Sequence, residues 1–535
     1  MSSMTSVSNL NTLLSSSTAT LTPATGPTRA QIAAGLVPPS SGTSATAATS
    51  STRVTLTDTP PVANWPTYSQ PAANGATLLW QQTPTDALSL RMSGNVSTSA
   101  LGNRLDGLGS DMLKALGAGA TSLTQSVLRA VGTPPTGDDL AVQQSQLQHQ
   151  ADNQFALTIT TASGAKVNVT LGSNADGITA QFSVEKGTLT DAERTALGKL
   201  ADAFQNTVSG LAKQPPALDL SGLTDFDSSV LTSIDLSATL GANDKVPQTF
   251  TFHADAAGRA LSVSGATGNF DVKVDLTNPQ IIGSQQAQAD AMNAWLSRFQ
   301  TAQSRGNGNA DLMAMFSSAF TALNSHYPQT SATSPLPRIA LSNLDRSTLS
   351  GLADFSASIS QTTTRPNPLR PNEGDGFSYQ VSQNTVIDGR DTANRTIHQQ
   401  SQADLSASFH RSLWAGVPLN LTTDPKSQNY EYVTVKDSAQ SSTDIDYRDG
   451  LLANAKTSRS ASQSQRVLRV EQNKIVSDVT TPASASHVDN LLTLLESTMQ
   501  RSPRDTEPDD ATRRAIQART ALEIDPSKLS SDSSQ

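Results

Sequence analysis

Phe155-Ala-Leu-Thr-Ile-Thr160, Val167-Asn-Val-Thr-Leu171 and Phe182-Ser-Val184 alternate apolar and polar residues. That period of two puts one apolar face on each of three short strands. Thr190-Asp-Ala-Glu193 follows, and the apolar positions Leu197, Leu200, Phe204 and Val208 then recur at helical spacing. Phe250-Thr-Phe252, Leu261-Ser-Val263 and Phe270-Asp-Val-Lys-Val-Asp-Leu276 repeat the pattern, ahead of a helical stripe through Met292, Trp295 and Phe299. A shift of 95 positions pairs Phe155 with Phe250, Leu157 with Phe252, Leu197 with Met292, Leu200 with Trp295, and Phe204-Gln205 with Phe299-Gln300. The stretch from Phe155 to Gln300 therefore reads as one unit, a β-meander running into an amphipathic helix, written twice.

Working outward, Thr190 and Glu193 have capping-box spacing, in which hydroxyl and carboxylate satisfy N–H groups at a helix start. Segments 152–240 and 241–364 form the two copies, and the second gains an extra helix over Leu312 to Tyr327. Upstream, 65–132 is expected to hold short strands at Ala76–Trp80 and Ala87–Met92. A helical face through Leu101, Leu105, Leu108, Met112, Leu116, Leu123, Val127 and Val131 follows, with a break or a close helix contact near Gly117. Asp138 to Gln150 reads as a connecting helix. Arg365-Pro-Asn-Pro-Leu-Arg-Pro371 opens a stiff Pro-rich link over 365–375. Residues 376–524 then carry long polar alternating strands, including Phe377–Asp388, Tyr430–Val435 and Gln465–Val479, and end in helices at Leu491–Met499 and Ala511–Ile524. Residues 525–535 read as a polar tail. The fold class is α+β: antiparallel sheets carrying helices on one face, in three cycles of meander and helix.

Residues 1–62 are Ser, Thr, Ala and Pro with almost no aromatic or charged side chains, too little apolar surface to offset the entropy of ordering. They are expected to form a disordered leader. That composition resembles the N-termini of substrates exported without a cleaved signal by flagellar or type III secretion machines. Within the leader, Ala30-Gln-Ile-Ala-Ala-Gly-Leu-Val-Pro-Pro-Ser40 is similar to a segment of an uncharacterised Ser/Thr/Ala-rich family of Gram-negative bacterial proteins. Some members of that family carry an automatic (lactate) dehydrogenase label, so the resemblance implies a dinucleotide site that the residues themselves have to supply.

Such a site needs glycines that let backbone N–H groups reach a pyrophosphate at a helix start. Gly107-Leu-Gly109-Ser-Asp-Met112 and Gly306-Asn-Gly308-Asn-Ala-Asp311 each have two glycines and lack the third, and both read as loop or helix features. Walker and Gly-x-Ser-x-Gly motifs are missing. The chain has no cysteine, which excludes disulfides, thiolate metal sites and a cysteine nucleophile. Its six histidines, His149, His253, His326, His398, His410 and His487, show no zinc-ligand spacing; His398 and His410 would meet only if their strands pair. Asp444-Ile-Asp-Tyr-Arg-Asp449-Gly450 is a loose match to a calcium loop with its acids misplaced, and Asn372-Glu-Gly-Asp-Gly376 reads as a plain acidic turn. No catalytic, cofactor or metal residue is nominated.

Among 535 residues, 37 Lys and Arg face 46 Asp and Glu, a net charge of −9 that gives no general attraction to nucleic acid or anionic lipid. Arg513, Arg514 and Arg519, with Arg501 and Arg504, are interleaved with Asp505, Glu507, Asp509 and Asp510 and read as a solvated, salt-bridged helix face. No apolar run is long enough to form a membrane helix. Charged residues are only 16% of the chain and aromatic ones 4%, so Ser, Thr, Asn and Gln solvate an extended, layered body. These features favour a non-catalytic bacterial protein, exported or surface-associated, that offers an extended surface to a protein partner. The alternatives are a cytoplasmic enzyme with a noncanonical site between the repeat units, and a secreted effector that binds a chaperone or host protein.

Overall fold

The computed structural model describes residues 76–132, 134–242, 244–327, 339–501 and 508–532. The leader over 1–62, with its Ala30–Ser40 segment, lies outside the described residues. Among the described residues fifteen strands form one continuous antiparallel sheet. Most helices pack on one face of it, but the helix Asp138–His149 packs on the other, where Leu147 meets Leu128 while Val127 beside it points into the main core, so the expectation of helices on one face alone is corrected. The chain is α+β, with a long meander.

Strand β1 (Thr77–Trp80) lies at one edge beside β2 (Ser122–Ala130). Helices α1 (Ala87–Asn95), α2 (Leu101–Arg104) and α3 (Leu108–Gly117) lie between them in sequence. Helix α4 (Asp138–His149) then leads to β3 (Asn153–Thr161), β4 (Lys166–Ser173) and β5 (Gly177–Glu185). Helix α5 (Asp191–Leu211) and the short α6 (Ser221–Thr224) return the chain to β6 (Leu231–Leu240). The sheet order β2-β5-β4-β3-β6 places β6 beside the first strand of its meander. Strands β7 (Gln248–Asp255), β8 (Gly258–Gly265) and β9 (Gly268–Asp275) follow. Next come α7 (Gln285–Gly306), α8 (Ala310–Leu323) and α9 (Asn343–Thr348), and then β10 (Asp354–Gln361) beside β9.

The 95-residue shift maps Asn153–Thr161 onto β7 and Asp191–Leu211 onto α7. The two strands between them fall out of phase, because only two residues (256–257 and 266–267) link β7 to β8 and β8 to β9. Phe155, Phe204, Phe250 and Phe299 are all buried in the same core. Thr190 accepts from the Glu193 N–H and Glu193 from the Thr190 N–H, the capping box read from the sequence. Burial opposes ionisation of Glu193, but backbone donors at Thr190 and Ser163, with the hydroxyls of Thr161 and Ser163, hold its carboxyl down at about 2.

Beyond the link the strands lengthen: β11 (Gly376–Asp391), β12 (Asn394–Ser412), β13 (Tyr430–Arg448), β14 (Leu451–Glu471) and β15 (Lys474–Asn490). They run as successive hairpins, and then α10 (Leu492–Arg501), α11 (Asp510–Thr520) and α12 (Pro526–Asp532) close the described chain.

Several elements differ from their sequence reading. Ala87–Met92 is helical, because Asp86 caps it through the Ser89 N–H and Leu88 and Met92 are buried one turn apart. The long helical face over 101–131 divides into α2, α3 and strand β2. Gly119 (φ +102°) ends α3, and a Cβ on Gly117 would press on the Arg194 carbonyl and Gly198, so α3 and α5 touch closely there. Gln465–Val479 is a hairpin and not one strand: Gln472 (φ +47°) and Asn473 (φ +66°) form the two-residue turn between β14 and β15. The last expected helix stops at Thr520, and the segment read as a polar tail contains α12, with Leu529 fully buried.

Candidate functional site

In β11–β14 the buried residues are mostly odd-numbered and face the helices: Phe377, Tyr379 and Val381; Ala403, Leu405 and Ala407; Val433, Val435 and Ala439. The even-numbered face is polar over most of its length. At one end, however, it carries His410, Tyr430 and Tyr432, with Tyr432 directly opposite His410 and Tyr430 opposite Val470. The Pro-rich link folds over this end. His410 presents Nδ1 to Asp375 Oδ1 at 2.5 Å and Nε2 to Glu373 Oε2 at 3.1 Å. Its backbone N–H also donates to Asp375, and Tyr430 Oη donates to Glu373 at 2.5 Å. Asn367 donates to Tyr430 Oη, Arg370 to Glu373, and Tyr432 Oη and Ser408 Oγ to the Gly374 carbonyl.

Both nitrogens of His410 face carboxylate oxygens that also accept from other groups, Asp375 Oδ1 from the His410 backbone N–H and Glu373 Oε2 from Tyr430 Oη. The ring lies 4.9 Å from each of the Tyr430 and Tyr432 rings. Burial, reinforced by Glu373, pushes the Tyr430 hydroxyl well above its ordinary value and keeps it a neutral donor. These are the side-chain types of acid–base catalysis, but the His410 side chain is 1% exposed and Tyr430 is fully buried. A substrate cannot touch them without displacing the link. Asp375 and Glu373 meet opposite edges of the ring and share no point where an ion could sit. The network thus works as a clasp that fastens 367–375 to the sheet.

The acidic segment read as a plain turn is therefore half of this clasp. Sequence reading missed it because its partners lie 35 to 57 residues away. The available signal was three large side chains, His410, Tyr430 and Tyr432, at positions of wet-face parity. His398 and His410 do not meet, since both lie on β12, twelve residues or about 40 Å apart. His398 instead faces Asp444 across the strand pair at 2.7 Å. His253 lies between Asp235 and Asp255, which outweigh desolvation and hold its imidazole above the ordinary value.

The Asp444–Gly450 stretch is the end of β13 and its turn, with Asp444 on His398 and Asp446 accepting from Asn454. Among the described residues no group of three or more His, Asp or Glu could hold a metal ion. The two glycine pairs are packing features. Gly109 lies against Phe204 and Gln205, and Gly306 and Gly308 lie against the Phe377 ring, where a Cβ would approach within 3 Å. The arginine face of α11 is only partly solvated. Arg513 is largely buried, pairs with Asp510 at 2.8 Å and lies 4.0 Å from Asp290 of α7.

Among the described residues a cleft of about 1110 Å³ opens where the two repeat units adjoin. Asn103, Lys213, Asp244 and Gln248 are among its polar wall residues, and Val263 and Met315 among its apolar ones. Its wall contains no histidine, so it lacks the commonest general base for a serine nucleophile. The polar face of β12–β15 holds a shallower hollow of about 640 Å³, edged by Gln402, Asp404, Ser438, Ser462 and Ser484. Comparison with protein families, with curated proteins and with solved structures finds no match to the chain. No described helix is long and apolar enough to cross a membrane.

Proposed function

We propose that the protein is a non-catalytic bacterial protein, exported or surface-associated, that binds a protein partner through the open polar face of strands β11–β15. One contrast carries this reading. The side chains suited to acid–base chemistry, His410, Glu373, Asp375 and Tyr430, are sealed under the link, while the surface left open is a broad array of hydroxyls and amides. Such a face supplies hydrogen bonds and shape, which is how a polar interface works, and no activated nucleophile. The leader composition supports export.

Export is tested by tagging the C-terminus and comparing full-length chain with a version lacking residues 2–60 in cells and culture supernatant. The full-length form alone is expected outside intact cells; retention of both removes the export half of the reading. The second reading, a cytoplasmic enzyme, is favoured by the 1110 Å³ cleft at the seam between the units. Titration with NAD(H) separates the two. A cofactor at tenfold saturation stabilises by about 1.4 kcal/mol, so a clear thermal shift overturns the non-catalytic reading, and an unchanged melting temperature is expected.

A further inference from the structure

On the helix-facing side of the long strands, one row of the sheet is made of alanines. Ala403 pairs with Ala439, Ala439 with Ala461 and Ala461 with Ala485. Four small side chains in register leave a shallow channel across β12–β15, bounded on one side by α7. The row on one flank holds Ser441 opposite Arg459, and the row on the other holds Asp437 opposite Gln463. The C-terminal segment lies in this channel without joining the sheet.

Its hold is unusual, because the groove contacts its backbone through side chains. Arg459 Nη1 donates to the Ala518 carbonyl at 3.1 Å and Ser441 Oγ to that of Thr520 at 2.8 Å. Arg298 Nε of α7 donates to the Leu522 carbonyl at 3.0 Å, with Nη2 on the same oxygen, and Gln463 Nε2 donates to that of Ile524 at 2.9 Å. Every second carbonyl from 518 to 524 is thus read by a donor that belongs to the groove. The Leu522 side chain is buried, and Arg298 stacks over Trp295 at 5.0 Å. The segment does not fill its seat: a cavity of about 120 Å³ remains between Leu522, Trp295 and Gln517.

We infer that this channel is a peptide-binding groove whose built-in ligand is the C-terminal segment 508–532, and that the segment binds as a separable peptide. The chemistry it selects is a helix C-terminus running into an extended chain: Arg459 and Ser441 take the last-turn carbonyls of Ala518 and Thr520, Arg298 and Gln463 take those of Leu522 and Ile524 beyond the helix, and an aliphatic residue fills the Leu522 position. Side-chain donors reading main-chain acceptors give affinity with little demand on sequence, and the buried apolar anchors Ile516, Leu522 and Leu529 supply the selectivity. Release removes one main-chain acceptor from each of four donors, Arg459 keeping its pairing with Asp489, and this favours a reoccupied groove over an empty one. The inference concerns the face opposite to the proposed partner surface and stands independently of it.

The test uses the full chain with a protease site placed within 502–507. After cleavage, a fluorescent peptide spanning residues 508–532 is titrated in, with its anisotropy and far-UV dichroism followed together. The labelled peptide is expected to replace the chain's own segment at one per molecule while the sheet signal stays constant. Arg298→Gln in the protein, or Leu522→Asp in the peptide, is expected to weaken binding about tenfold or more. Failure of the cleaved segment to exchange over a day, or loss of the sheet signal when it leaves, would make it an ordinary part of the core and overturn the inference. Exchange that neither substitution changes would equally remove the proposed recognition.

Discussion

Strands β3–β10 and strands β11–β15 belong to one sheet, yet they bury different things. In the first group the strands are eight to ten residues long, and aromatic rings from α7 and α8 fill the space above β9 and β10. Phe299 lies 5.0 Å from Phe316 and 5.1 Å from Phe320, which in turn lies 4.8 Å from Phe355. In the second group the strands reach sixteen to twenty-one residues, but alanines, serines and glutamines occupy much of the covered face. A large ring buries 150–250 Å² and an alanine far less. The long strands therefore depend on continuous backbone pairing and polar ties, and the short ones on a dense apolar core. One half is built for stability and the other for surface.

Truncating a ring in the dense half gives the largest expected effect. Phe299→Ala should cost about 3–5 kcal/mol, read from urea unfolding. Val435→Ala in the long half removes two carbons and should cost about 1–2 kcal/mol. Equal losses at the two positions would break the proposed division between the halves.

The clasp ranks next. Glu373→Ala leaves the Tyr430 hydroxyl, His410 Nε2 and Arg370 Nη1 without the Glu373 carboxylate, although Arg370 Nη2 keeps the Asn473 carbonyl. A loss of about 2–3 kcal/mol is expected, together with new protease cleavage within 365–375. A fully stable variant that also resists the protease would mean that the link is held by its prolines and not by the network.

A smaller effect is tied to pH. Glu193 ionises at about 2 in the fold, below the ordinary 4.5. A lowered carboxylate contributes stability that is present above the unfolded value, near 4.5, and is lost as pH falls through the folded value, near 2. Glu193→Gln should cost about 1 kcal/mol at neutral pH, and the difference from the wild type should shrink between pH 4.5 and 2. A difference that is constant over that range would assign the loss to packing alone.

What could be read in advance follows from how local each signal is. The capping box at Thr190 and Glu193 is complete within four residues, and the meander of β3–β5 shows as alternation within each strand, so both were legible. The Ala87–Met92 helix was not, because Leu88-Ser-Leu90 alternates as a strand does and the deciding hydrogen bond comes from Asp86 outside the stretch. The β14–β15 turn was hidden because Gln472-Asn473 lacks the glycine that usually marks such a turn. The clasp and the alanine row need strand register before they exist at all. No pattern within Asn372–Gly376 foretells that Asp375 will face a histidine 35 residues on.

The smallest expected change in stability tests what keeps the wet half apart from its neighbours. Strand β15 is the far edge of the sheet, seventeen residues long, with Ile475, Val476, Val479 and Val488 exposed. A long open edge with apolar side chains invites pairing with another chain. Pro482 sits in its middle, opposite Ser464. Proline has no N–H to give, so within a paired strand it is tolerated where that position points outward. Alternate residues of β15 therefore turn their backbone groups to solvent, and the row of donors is interrupted at its centre. Pro482→Val restores the missing donor and leaves the ladder to β14 intact, so stability should change by no more than about 0.5 kcal/mol. Sedimentation should nevertheless show dimers or larger species at concentrations where the wild type shows none. If the variant sediments like the wild type, some other feature guards the edge. The two charges near its ends, Lys474 and Asp489, would be the next to remove.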